Sequence, residues 1–311
     1  MAVNDVAIVG AGLIGRAWAS IFARAEWHVR LFDPVGGQAE RCHALCREAL
    51  EQLSRHGLCD DPTKALARIQ VSSTLEAAVD GVSLVQENGP EKVEVKQAIY
   101  AELDRLAPAD AILASSTSAI VASKFTEHLA GRHRCLVAHP VNPPHLVPVV
   151  ELCGAPWTSP DIIDRARAIY LGIGQVPIIV KRELEGFILN RLQGALLTEA
   201  MKLAGEGYVS PQDLDRVIKD GLGLRWSFLG PFETIELNAP GGIPDYSARY
   251  SAFYQRLAAD PAPPSAWQGD GAARVASEWG RTPDAAEINR RSQRRDERLA
   301  ALQAHKRKME N

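Results

Sequence analysis

The chain has 311 residues, enough for two domains each with its own core. Its 46% hydrophobic and 23% charged content is that of an ordinary soluble globular protein. A net charge of −3 argues against nucleic acid or an anionic membrane as partner, and no apolar run reaches the length of a membrane span.

The first predicted strand, Val6-Ala7-Ile8-Val9, follows the N-terminus too closely to leave room for a targeting peptide, so a cytoplasmic location is expected. Between that strand and a predicted helix over Ala17 to Ala25 stands Gly10-Ala11-Gly12-Leu13-Ile14-Gly15. In such a turn Gly10 permits the reversal, Gly12 lets the backbone approach a pyrophosphate, and Gly15 lets helix and strand pack closely. The N–H groups opening the helix then face the phosphates. A second strand, His28 to Phe32, ends at Asp33, where a carboxylate reaches the adenosine ribose hydroxyls. Asp33 repels a 2′-phosphate, so NAD is expected rather than NADP. The competing reading is a glycine turn beside an incidental surface aspartate.

Gln38 to His56 predicts a long helix ended by Gly57. Cys42 and Cys46 lie one turn apart on it, but too few ligands stand nearby for a metal, and helix packing is the better reading. With Cys59, Cys135 and Cys153 they make an odd, dispersed set that reads as reduced thiols rather than a disulfide framework. A short helix over Asp60 to Ala67 is followed by strands at Ile69 to Val71 and Val82 to Gln86. A charged helix over Glu91 to Leu106 precedes strands at Ala111 to Ala114 and Cys135 to Ala138. Apolar strands alternating with helices predict a mostly parallel sheet covered on both faces, a Rossmann-like α/β domain over residues 1–182. Extended Val147 to Leu152, a helix over Pro160 to Leu171 and a strand at Pro177 to Val180 complete it.

Beyond Glu185 the strand signal vanishes, which predicts an all-α domain over 183–311. Phe187 to Glu206 reads as a long apolar helix buried in a domain or subunit interface. Ser210-Pro211 starts another helix with a side-chain cap, and Asp260 to Pro264 is a proline-rich loop. The arginine-rich run from Thr282 to Asn311 has interleaved acids and no aromatic platform, so a solvated helix face fits it better than a nucleic-acid surface.

The densest polar constellation lies between residues 115 and 151. Ser115-Ser116-Thr117-Ser118 and His139 follow two strands at the carboxyl edge, where open α/β sheets place their ligands. Oxidation of an alcohol needs a base for the hydroxyl proton, and histidine titrates in the right range. A carboxylate on its other ring nitrogen fixes the tautomer, and Glu151, between Val150 and Leu152, suits that role. The same two residues read equally well as a capped core histidine and a half-exposed strand glutamate.

These stretches carry a resemblance. Ser115-Ser116-Thr117-Ser118, His139-Pro140-Val141-Asn142-Pro143-Pro144, Glu151 and Gly186-Phe187-Ile188-Leu189-Asn190-Arg191 resemble the motifs of the 3-hydroxyacyl-CoA dehydrogenase superfamily. Gly221-Leu222-Gly223-Leu224-Arg225, Gly230-Pro231-Phe232-Glu233-Thr234, Leu237-Asn238-Ala239 and Arg294-Arg295-Asp296-Glu297 resemble its lambda-crystallin / L-gulonate 3-dehydrogenase branch. The resemblance implies His139 as catalytic base, Glu151 as its partner, and Ser118 and Asn190 as hydrogen-bond donors to the substrate oxygen, with Asn142 beside them. It further implies Glu91 and Lys96 as contacts to the cofactor's ribose and nicotinamide end; apart from it they read as ordinary helix charges. A homodimer built through the helical domain is implied as well.

The acyl-CoA branch carries basic residues near the second helix to hold the nucleotide, whereas Arg41 to Arg68 here has scattered arginines and a single lysine, Lys64. Arg225 stands where the two branches differ, and an arginine grips a free carboxylate through two parallel hydrogen bonds. A free 3-hydroxy acid, with L-gulonate as the named candidate, is therefore the expected substrate. A 3-hydroxyacyl-CoA, 3-hydroxybutyrate or carnitine is the alternative, as is a crystallin-like NADH-binding protein without needed activity. Arg225 itself reads alternatively as a surface or interface arginine.

Overall fold

The computed structural model describes residues 4–310. The chain begins β1 (Asp5–Val9), α1 (Leu13–Arg24), β2 (His28–Phe32), α2 (Gln38–Arg55), α3 (Pro62–Ala67), β3 (Ile69–Val71) and α4 (Leu75–Val79). It continues β4 (Leu84–Glu87), α5 (Val93–Leu106), β5 (Ile112–Ser115), α6 (Ser123–Thr126) and β6 (Cys135–Pro140). Then come β7 (Val149–Gly154), α7 (Pro160–Gly172) and β8 (Val176–Val180). The strands form one sheet in the order β3-β2-β1-β4-β5-β6-β7-β8. The order reverses direction between β1 and β4, and that is where such sheets open a ligand crevice.

β1 to β6 run parallel, as expected. β7 pairs antiparallel with β6, and β8 follows β7. Apolar runs of this kind are buried on both faces, and the strand period of two sorts them. Val6 and Ile8 of β1 enter one core with Leu84, Ile112 and Leu136, while Ala7 and Val9 enter the other with Val85, Leu113 and Val137. The first core packs against α1, α2 and α7, where Trp18, Phe22 and Tyr170 form an aromatic cluster with ring centroids 5.4 to 6.4 Å apart. The second packs against α5 and α6 through Tyr100, Leu103 and Phe125.

A partly buried polar network ties these layers at the end of β5. Ser116 Oγ accepts from Trp18 Nε1 at 3.0 Å and from Gln86 Nε2 at 2.7 Å, and donates to Asn88 Oδ1 at 2.7 Å. A hydroxyl has one proton and two lone pairs, so Ser116 is fully used.

The compact units divide the chain differently from the split at residues 182 and 183 read from the sequence. The first comprises residues up to Asn190 together with Ala285 onward; the second is Arg191–Asp284. The last helix explains the difference. Its apolar side chains are few, but Ala300 is fully buried on the first core, with Leu299 and Ala304 beside it. Glu297 accepts from Gln52, Arg55 and His56 at the end of α2, the last two at 2.8 and 2.7 Å. The solvated face expected of this run is therefore only one of its faces.

The second unit is all helical. It continues α8 (Leu189–Gly205) and contains α9 (Pro211–Arg216), a π-helical turn at Val217–Leu222, α10 (Gly223–Trp226), α11 (Pro231–Leu237), α12 (Gly242–Ala258) and α13 (Gly269–Trp279). α14 (Ala285–Glu310) then returns to the first unit. Ser210 Oγ accepts from Asp213 N at 3.1 Å and caps α9, as its sequence predicts. Gly205 and Gly271 let α8 and α13 cross closely: a Cβ on Gly205 would lie 3.0 Å from Gly271 Cα. Within the single chain only Lys202 and Ala204 of α8 are buried, and Leu192, Leu196 and Leu197 are exposed. No helix of the described residues is long and apolar enough to cross a membrane.

Candidate active site

The glycine turn after β1 is built as its spacing requires. Gly10 has φ +96°, and a Cβ there would lie 2.8 Å from the Asn88 backbone. A Cβ on Gly15 would lie 1.9 Å from the Gly10 carbonyl oxygen. A Cβ on Gly12 would meet nothing within 4 Å, so the space above Gly12 is open. Leu13 stands exposed beside it, with Ile14 half-buried. Asp33 braces the turn: its Oδ2 accepts from Ala11 N at 2.7 Å and its Oδ1 from Val35 N at 2.9 Å. Each oxygen keeps a free lone pair, and the side chain remains half-exposed. An open cradle beside an accessible carboxylate fits a dinucleotide.

The antiparallel turn of β7 places Glu151 opposite His139 in the β6–β7 register. His139 Nδ1 lies 2.9 Å from Glu151 Oε2, and both residues are buried. A carboxylate only accepts, so Nδ1 carries the proton and Nε2 is the free basic nitrogen. The other oxygen, Glu151 Oε1, accepts from Ile188 N at 2.8 Å and Leu189 N at 3.0 Å. Burial opposes the charge on Glu151, yet the bonds from His139 and from these two amides outweigh it and hold its pKa below the usual carboxylate value.

Phe187 makes that amide pair possible. It adopts φ +48°, a left-handed conformation that costs a non-glycine residue roughly 1–2 kcal/mol. Its ring is wholly buried, 5.4 Å from the His139 ring, and that burial offsets the cost. Nothing in the apolar pattern around Phe187 announces the bend; the adjoining Gly186 is the one local sign.

Asn190 extends the chain of contacts. Its Nδ2 donates at 2.9 Å to the carbonyl of Ser118, whose side chain lies in an exposed loop. Glu91 Oε1 holds the same loop, accepting from Thr117 Oγ1 and, at 3.1 Å each, from Ser118 N and Ala119 N. His139, Glu151, Asn190, Ser118 and Glu91 are thus linked through successive hydrogen bonds or adjacent backbone. Asn142 is exposed in the β6–β7 connection.

Lys96 is placed otherwise than a surface contact. Its Nζ is enclosed, bonded to Glu87 Oε2 at 2.9 Å, Glu87 Oε1 at 3.1 Å and Ser115 Oγ at 3.3 Å. Glu87, which sequence reasoning passed over, is fully buried at the end of β4 and also accepts from Gly89 N at 2.6 Å and Ser115 Oγ at 2.6 Å. The Gln86-Glu87 pair closing an apolar strand was its only sequence signal. Arg225 belongs to the helical unit, exposed on α10. All five cysteines are buried and free, and no group of three His, Cys, Asp or Glu among the described residues could hold a metal ion.

An open glycine cradle at the switch point of a mostly parallel sheet defines a dinucleotide-binding domain. The family profile for the 3-hydroxyacyl-CoA dehydrogenase NAD binding domain matches residues 5–183, and that for its C-terminal domain matches residues 186–268. The chain belongs to the 3-hydroxyacyl-CoA dehydrogenase family. Lambda-crystallin of Oryctolagus cuniculus is 43% identical, over 82% of this chain and 81% of that one. L-carnitine dehydrogenase of Streptomyces griseus subsp. griseus is 39% identical, over 78% and 72%. Among solved structures, 5-formyl-3-hydroxy-2-methylpyridine 4-carboxylic acid 5-dehydrogenase, an NAD+-dependent dismutase, superposes with a TM-score of 0.82 at 26% identity, covering 97% of each chain. The protein is therefore an NAD-binding oxidoreductase and a relative of the lambda-crystallins.

Proposed function

We propose that the protein oxidises the hydroxyl of a free 3-hydroxy acid to the 3-keto acid, with L-gulonate as the substrate. The observation that carries this reading is the buried His139–Glu151 pair, which leaves Nε2 without a partner among the described residues at the carboxyl edge of the sheet. Bound NAD supplies the hydride acceptor for the carbinol carbon, held by the turn Gly10, Gly12, Leu13, Ile14 and Gly15 with Asp33 at the ribose. His139 Nε2 takes the hydroxyl proton, and Glu151 stabilises the imidazolium that results. The Ser118 hydroxyl and the Asn190 amide hold the substrate oxygen, with Asn142 beside them. Glu91 keeps the Ser118 loop in shape, while the Lys96–Glu87 pair stiffens the strand ends under the cofactor. Arg225 binds the substrate carboxylate.

The exposed apolar side chains of the helical unit, among them Leu224, Phe228, Phe232 and Leu237, support a homodimer formed through it. Retention of Ser118, His139, Glu151 and Asn190 favours an active enzyme over a purely structural crystallin. The deciding experiment follows NADH formation across L-gulonate, 3-hydroxybutyrate, carnitine and a 3-hydroxyacyl-CoA. The free-acid reading expects L-gulonate to have the highest kcat/KM, and a preference for the thioester overturns it.

A further inference from the structure

A second polar site lies in the first unit, outside the catalytic residues. The C-terminal ends of α1 and α14 and the β6–β7 connection enclose a cleft of about 420 Å³. Arg24, Lys306 and Arg307 line it, with no carboxylate among the lining residues. Among the described residues the one side-chain hydrogen bond that Arg24 makes is long, 3.3 Å to the His145 carbonyl. The Arg307 guanidinium lies over Gly174, whose Cβ position is 4.0 Å from Nη2.

These charges oppose one another. Burial, and then the charge of Arg307, bring the Arg24 guanidinium down to about 10. Burial, followed by Arg24, Arg16 and Arg295, pushes the His145 imidazole down to about 4, so it is neutral at pH 7. Its Nδ1 is buried without a hydrogen-bond partner. A structural explanation is that Arg24 and Arg307 cap the last turns of α1 and α14. Each helix end offers roughly half an elementary negative charge, which falls short of the three cations assembled here. An anion bound among these groups would relieve the repulsion.

We propose that this cleft binds a phosphate-bearing small molecule, its phosphate held by Arg24, Lys306 and Arg307 and its organic part lying on Leu58, Leu146, Val149 and Val176. A carboxylate neutralises a single cation, whereas a phosphate dianion offers more charge and oxygens that match the guanidinium fork. The apolar wall suits a body beyond the phosphate itself.

The test is calorimetric titration with phenyl phosphate, benzoate and inorganic phosphate, on full-length protein saturated with NADH so that the glycine turn is filled. Phenyl phosphate is expected to bind saturably, and benzoate and inorganic phosphate at least about tenfold more weakly. In the Lys306→Gln/Arg307→Gln double variant the phenyl phosphate affinity falls at least about tenfold. Without ligand, that variant's Tm at low salt is unchanged or raised, because like charges have been removed. Absence of saturable binding with NADH present, or equal affinity in the double variant, overturns the site. Equal binding of benzoate overturns the phosphate assignment, and equal binding of inorganic phosphate overturns the role of the apolar wall. A fall in the ligand-free Tm identifies the cations as helix caps and also overturns the proposal. Binding is read without turnover, so the result is independent of the substrate assigned above.

Discussion

His139 and Glu151 face each other directly across the antiparallel β6–β7 pair, and their side chains meet at 2.9 Å. The pair is a product of strand direction, since a parallel β7 would carry Glu151 away from the edge where His139 stands. Replacing His139 with glutamine is expected to abolish turnover while NADH still binds, as read by nucleotide fluorescence. Glu151→Gln keeps the fold but loses the charge that stabilises the imidazolium, so kcat should fall by about 10²–10⁴. Turnover surviving in His139→Gln would remove this histidine from the mechanism.

The same pair has a pH signature. The folded pKa of Glu151 is depressed below its ordinary value of 4.5. Its contribution to stability is therefore complete above that value and is lost as pH falls through the folded pKa. Urea unfolding of wild type and Glu151→Gln should show a stability gap that is present at about pH 5 and closes in more acid solution.

Lys96 and Glu87 form a buried ion pair with no second charged partner among the described residues. Lys96→Met leaves a buried carboxylate unpaired and should cost about 3–5 kcal/mol in denaturant unfolding. Adding Glu87→Gln should recover much of that loss, and a double-mutant cycle measures the coupling. Simple additivity would mean the pair does not act as a unit.

Ser116→Ala removes one oxygen and orphans three groups, Trp18 Nε1, Gln86 Nε2 and Asn88 Oδ1. A loss of about 1–3 kcal/mol is expected, with a change in the emission of the buried Trp18.

The glycine turn separates fold from binding. Gly15→Ala pushes a methyl to 1.9 Å from a carbonyl oxygen and should lower Tm sharply. Gly12→Val enters open space and should leave Tm nearly unchanged while raising the NADH Kd at least about tenfold. Equal effects of both variants on Tm would contradict the open cradle.

Much of the sheet was legible because apolar strand runs and helical spacing recur in strict alternation from Val6 onward. The glycine turn was legible because each glycine answers a distinct steric demand. The reversal of β7 and β8 was not, since side-chain alternation reads the same in either direction along a sheet. The docking of α14 was hidden because it rests on small side chains, Ala300 and Ala304, and on one carboxylate, Glu297, in a run that otherwise reads as solvated. Lys96 read as an ordinary helix charge and Glu87 was passed over, because their burial depends on two neighbouring strand ends, which no local pattern records. The left-handed Phe187 escaped for a similar reason: its strain is held by tertiary packing against His139.

The division into units has an evolutionary consequence. Ser118, His139, Glu151 and Asn190 all belong to the first unit, whereas Arg225 belongs to the second. The bonds that set His139, Glu151, Ser118 and Asn190 lie within the first unit, so substitutions in the helical segment leave the proton-transfer apparatus intact. A lineage with this architecture can rewrite its helical segment without relearning its chemistry.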